Sequence, residues 1–430
     1  MSESKETRVQ GRKPSRHMPV RPDLEQLKRQ AKDLLAAVQR GEVAAVEEFN
    51  AFHPREVADP ARNAKLSDAQ LALARAYGLA SWPRLVLACR MTDGLMRHDV
   101  AAVRQLVLEN PSLLHEDARG VPGNWGSPMA YASNLGHLPM IEMLAGLGAT
   151  DYQHAFGRVC LQGKLETARW LLANGAVPER GEVMGPCETQ NADGLRMLVV
   201  DLGLELCDKD GDRLAPTALL LETYCRNPRG KHGCLEICAA QGVALPDTPV
   251  MALHRGRMDL LEKHLRADPE LPHRRFGYRE IYPLEVGCHE DETLGLHGTP
   301  IAGCTLLHMC IDFGELEIAQ WLISKGADVN APALVDAEGF GGHTPLFNAV
   351  VTQMNLGGGK DDVSFAKLLL DNGANPHTRT TLRKGLRFVD DETVHEFHNV
   401  TPVEYAAQFH ERRWVNRAAA ALVEERGRSR

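Results

Sequence analysis

A chain of 430 residues is long for one hydrophobic core, so it calls for several domains or for a repeating architecture. With 43% hydrophobic and 25% charged residues most of it is expected to fold, and a formal net charge of −8 argues against a nucleic-acid partner, which would need a basic face. No apolar run approaches the ~20 residues of a membrane helix, and the N-terminus lacks the apolar core of a signal peptide, so a cytoplasmic protein with no membrane partner is expected. The ten cysteines fall mostly in apolar helical contexts, such as Cys234 and Cys238 one turn apart, without a CxxC pair. They read as small core residues of a reducing compartment, not as a zinc or disulfide framework.

In chain order, residues 1–21 carry Lys5, Arg8, Arg12, Lys13, Arg16 and Arg21 with little apolar content and are expected to be a disordered basic arm. Residues 22–90 read as a separate helical module. Asp23 and Gln26 sit in capping-box positions ahead of Leu24, Leu27, Ala31, Leu34, Leu35 and Val38 on one helical face. A second helix is predicted over Val43 to Phe52. A third, Ala69 to Tyr77, is capped by Ser67 with Gln70, and a fourth is opened by Ser81-Trp82-Pro83.

From Asp93 to the C-terminus the spacing of glycines takes over. Gly136 and Gly148, Gly163 and Gly175, Gly230 and Gly242, and Gly314 and Gly326 are each separated by the same interval. This is the interval between the glycine that ends a first short helix and the one that ends a second. The same phase fits Asn191 to Gly203 and Asp361 to Gly373, and more loosely His98 to Asn110 and Gly256 to Asp268, giving about nine units. The stretch Gly303 to Ala331 is the most complete. Its turn signature T-P-L-H-x-A is met at Thr305, Leu307 and His308, with Leu306 in place of the proline and Cys310 in place of the alanine. Helices are predicted over Leu306 to Phe313 and Leu316 to Ser324, and Leu322 lies on a stripe that a neighbouring unit must bury. Trp170 and Trp321 share a phase in their second helices, which points to packing between units.

These features resemble the ankyrin repeat family, over residues 93–430. The resemblance implies an all-α ankyrin-repeat solenoid with an N-terminal helical module, and a function in protein recognition. The segments LEQLKRQAKDLL and AYGLASWPRLV in the module are similar to a helical segment found ahead of ankyrin arrays in bacterial proteins. A helix from Arg413 to Glu425 is expected to close the array with a polar face, as terminal repeats require.

Long insertions near 271–302, 331–342 and 376–399 interrupt the second half. They hold His289-Glu290-Asp291-Glu292, His297, the Gly339-Phe340-Gly341-Gly342 run before His343, and Asp390-Asp391-Glu392 with His395, Glu396 and His398. All three precede a first helix and would project from one edge. Were 391–398 helical, Glu392 and His395 would share a face at a spacing able to place both on one metal. The expectation is a protein-binding or scaffolding protein that uses its concave and finger surface, the fingers hydrated and polar, with Trp125, His297, Phe340, His343, His395 and His398 as contacts. No metal, cofactor or catalytic residue is assigned, and a monomer is expected. Gly357-Gly358-Gly359-Lys360 lacks the preceding strand and the Ser/Thr of a phosphate loop. The alternative is an enzyme or a small-molecule or metal-binding protein whose site is built from the same histidines and carboxylates.

Overall fold

The computed structural model describes residues 13–55, 57–289, 292, 294–352, 362–389 and 391–428. Lys5, Arg8, Arg12, Glu290, Asp291, the 357–360 run, Asp361 and Asp390 lie outside the described residues. The chain divides into two compact units, one up to Val177 and one from Pro178 onward.

In the first unit, helices Leu24–Gln39, Val43–Phe52 and Leu66–Ala76 bury Leu27, Ala31, Leu34, Val38, Phe49, Ala69 and Leu73 in a common core. The Asp23 carboxylate caps the first helix by accepting from the Glu25 and Gln26 amides. The third helix starts earlier than expected. Its entry is held by Asp68 accepting from the Lys65 amide, which leaves Ser67 inside the helix. Residues 13–21 are not a free arm. Arg16 makes a two-pronged ion pair with Glu48, Met18 is buried, and the Tyr131 hydroxyl donates to the Val20 carbonyl, so these residues do not form the disordered arm expected. The expected boundary at 90–93 also fails, because helix Trp82–Met96 runs through it without a break and pairs with Val100–Glu109. The module's last helix is therefore also the first helix of the first pair. Pairs Pro128–Leu135 with Leu138–Gly146 and Tyr152–Gln162 with Leu165–Ala173 follow.

The second unit is mostly helical, with two short two-stranded sheets. Arg275–Phe276 (β1) pairs with Cys304–Thr305 (β2), and Thr380–Lys384 (β3) with His395–Val400 (β4), both antiparallel. Two insertions thus use strands, and in the second sheet Leu382, Phe397 and Val400 are buried. Glu392 and His395 therefore do not share a helix face. Pairs of helices stack in order: Leu306–Phe313 packs on Pro345–Val350, which packs on Pro402–Gln408. Behind them Leu316–Ser324 packs on Ser364–Asp371, and that helix on Arg417–Arg428. The last helix begins at Arg417, after a tight turn that buries Trp414.

The helix bounds of the 303–331 stretch are those its sequence predicts. Gly314 and Gly326 end them at φ +79° and +94°, a left-handed backbone that strains residues with a Cβ. Where the pattern lacks glycine the conformation persists: His98 takes φ +56°, and Gln190, not Asn191, takes φ +54°. Gly230 is out of phase. It lies inside helix Pro228–Ala240, where a Cβ would collide with the Gln190 carbonyl. Trp170 and Trp321 are half-buried rather than core.

Leu322 is 1% exposed. Leu322→Ala is expected to lower the unfolding free energy by about 2–5 kcal/mol in urea titration, from lost transfer energy plus the cavity left behind. A change below about 1 kcal/mol would mean that this face is not packed against a neighbour.

Candidate binding site

The three insertions of the second unit meet. A cleft of about 570 Å³ is bordered by Pro300 and Gly303 from the first, Leu334, Val335 and Phe340 from the second, and Arg383 and Val394 from the third. Gly341 bridges to Thr381, which ties the 331–342 finger to β3. Arg383 sets the rim, pairing with Asp336 at 2.8 Å and with Glu338 while lying over the Phe340 ring at 4.7 Å. Leu334 and Val335 are 59% and 60% exposed and Val394 is 45% exposed, so the border is apolar and open.

The predicted contact residues divide into separate environments. Phe340 is half-buried and faces exposed His398 at 6.1 Å between ring centres. His395 stacks on His410 at 4.0 Å and bonds Asp391 at 2.9 Å. Trp125 belongs to the first unit, half-buried against Tyr131 at 4.6 Å. His297 and His343 are 5% and 1% exposed, which corrects the expectation that they line a hydrated surface.

His297 belongs to a buried polar knot. Its Nδ1 donates to Asp312 Oδ2 at 2.7 Å, and its Nε2 accepts from the Tyr282 hydroxyl at 2.5 Å. Arg226 donates to the same Asp312 oxygen at 3.0 Å and lies 5.1 Å from the centre of the Phe313 ring. Burial opposes charge on Asp312, but His297 and Arg226 prevail and hold its carboxyl well below the usual range. Burial pushes His297 the other way, toward the neutral form. One turn away Lys231, 2% exposed, pairs with Glu315 at 3.2 Å, and His232 shares that carboxylate at 2.9 Å. Tyr282, Arg226 and Asp312 were not singled out from the sequence. Their partners lie up to 86 residues apart, and no local spacing encodes the pairing.

Among the described residues one group could gather three metal-ligating side chains, Cys304, His308 and His343, and it is not the predicted set. Its donors are engaged except His343 Nδ1, which is buried without a hydrogen-bond partner among the described residues. The Thr305 amide donates to His308 Nδ1, so His308 Nε2 carries the proton and gives it to the His343 carbonyl at 3.1 Å. His343 Nε2 bonds the Pro300 carbonyl at 3.0 Å, and burial raises the Cys304 thiol well above its ordinary value, which keeps it protonated. A metal would have to strip these protons and break these bonds. The arrangement instead locks the turn of one unit to that of the next.

Residues 302–333 match the family model described as ankyrin repeat. The protein contains an ankyrin repeat. His308 thus joins the turn of this repeat to His343, just before helix Pro345–Val350. The crystal structure of the human ASB11 ankyrin repeat domain is similar at 16% identity, over 70% of this chain and 97% of that one, with a TM-score of 0.26. A likeness that slight places no residue. No curated protein matches the chain. No helix among the described residues is long and apolar enough to cross a membrane.

Burial lowers His343 from about 6.5 to about 4. The unfolded chain therefore binds the proton first, so this stabilisation is complete above about pH 6.5 and is lost as pH falls toward 4. Between pH 7.5 and 5 His343 alone is expected to remove about 2 kcal/mol of unfolding free energy. Urea titrations at the two pH values check this. The loss should shrink in His343→Gln, and a flat profile in the natural protein would contradict it.

Proposed function

We propose that the protein is a protein-binding scaffold of the cytoplasm, a monomer whose stacked helix pairs form a solenoid. The insertion cleft at 300–303, 334–340 and 383–394 is its recognition surface. Ankyrin repeats generally mediate protein–protein interaction, which sets the class of partner. The observation that carries the reading further is the convergence of three separate insertions on one open, apolar border with a charged rim. Exposed Leu334, Val335 and Val394 cost solvation in the free protein, and burying them against apolar side chains of a partner recovers it. Arg383, stacked on Phe340 and anchored by two carboxylates, suits the rim of such a surface. This reading is favoured over an enzyme because His297, His343 and His395 face different partners.

Val335→Glu and Val394→Glu place charge on the border and leave the buried layer intact. Quantitative affinity capture from the native host should show one or more proteins retained by the natural chain and reduced about tenfold or more by either variant, the size of a single hot-spot loss. Identical capture profiles from all three proteins, each with unchanged circular dichroism, would overturn the assignment of this surface.

A further inference from the structure

A second cleft, of about 220 Å³, opens beside the ankyrin repeat and is bordered by Arg226, Asp312, Asn348, Asp362 and Asn416. It lies where helices Leu306–Phe313 and Pro345–Val350 end, and it is distinct from the cleft assigned to protein recognition. Most polar groups around it are committed. Arg226 donates to the carbonyls of Asp312, Thr223 and Cys225 and to the Asp312 carboxylate. Asn416 donates to the Asp362 carbonyl and accepts from the Ala419 amide, and Asp362 Oδ1 accepts from the Ser364 amide at the start of the next helix.

Three atoms are left over. Asp312 Oδ1 and both Asn348 Oδ1 and Nδ2 are buried with no hydrogen-bond partner among the described residues. Asp312 is 1% exposed and Asn348 is not exposed at all, so solvent does not make up the loss. Buried polar groups are normally paired, and three adjoining one cleft mark a place where a hydrogen-bonding group is missing. No hydrogen bond among the described residues holds the Asn348 carboxamide.

We propose that this cleft binds a guanidinium group, held by Asp312 Oδ1 and the Asn348 carboxamide oxygen. The charge balance favours a cation, since two carboxylates border the cleft and the one guanidinium there has its donors directed into the protein. The vacant acceptors favour a planar fork of N–H donors over a point-like ammonium, because a fork reaches two acceptors at once. The volume falls below the roughly 300–1,000 Å³ of clefts that enclose a whole drug-sized ligand, and so suits one group at the end of a narrow chain. That group belongs either to a free small guanidine or to an arginine side chain of a partner protein.

Calorimetric titration of the full chain with agmatine and with acetyl-Gly-Arg-Gly-amide tests the proposal and separates the sources. Saturable binding of agmatine alone assigns a free guanidine, and binding of the peptide assigns an arginine side chain. Either result supports the site. Asn348→Leu should weaken binding at least about tenfold, the loss of one buried hydrogen bond to a charged group. Because a core substitution can perturb folding, Asp362→Asn provides the second variant. It keeps a side chain able to cap the helix and removes only a border charge, for an expected loss of about two- to fivefold at low salt. No saturable binding of either probe up to about 10 mM, a Kd weaker than the millimolar range of a single-group contact, would overturn the proposal. So would equal affinity across the three proteins, or n-butylammonium binding as tightly as agmatine.

Discussion

The carboxylate of Asp312 is the point at which the second unit is tied together. It lies near the end of the first helix of the ankyrin repeat, and one oxygen receives both His297 from the 271–302 insertion and Arg226 from the loop before helix Pro228–Ala240. Tyr282 then closes the chain on the far side of His297. Replacing such a buried pair with apolar residues of similar shape is often harmless, whereas removing one partner strands a charge at a cost of about 3–5 kcal/mol. The knot therefore fixes register more than it adds stability. It adds a fixed polar link to an insertion that also buries Phe276, Ile281, Val286 and Ile301 and pairs β1 with β2.

That constraint also explains how the two clefts arise. With the first insertion pinned at His297, Pro300 and Gly303 are presented beside the 331–342 finger, and the carbonyl of Pro300 is held by His343. The finger is tied in turn to β3 through Gly341. Satisfying only Oδ2 leaves Oδ1 of Asp312, a residue on the border of the smaller cleft, without a bond among the described residues. One carboxylate thus serves as anchor on one side and as vacant acceptor on the other.

The repeat itself was legible because its determinants are local. Left-handed glycines, a threonine at the turn and a helical stripe each act within a few residues, so both helices of the 303–331 stretch are found where the sequence puts them. Gly230 misled because a glycine demanded by close approach to the Gln190 carbonyl looks the same in sequence as one demanded by a helix end. The insertions were misread for a related reason. Histidines and carboxylates there suggested a wet surface, but whether His297 is a surface ligand or a buried link depends on Asp312 and Arg226, which only the folded chain brings near. β3 and β4 likewise pair across a long connection that no short-range pattern announces. Residues 13–21 packed against the module because Glu48 and the groove around Met18 await them, again a non-local demand.

Hydrogen exchange of the native protein measured by mass spectrometry on Asp312→Asn tests the anchoring role of this carboxylate most directly. The substitution keeps the shape and removes the charge that His297 and Arg226 share. The account predicts that amides of 275–304 and 223–227 lose protection by an order of magnitude or more, while helices Tyr152–Gln162 and Arg417–Arg428 exchange as before. Unchanged protection across 275–304 would contradict it, and would mean that the insertion is held by its apolar contacts alone.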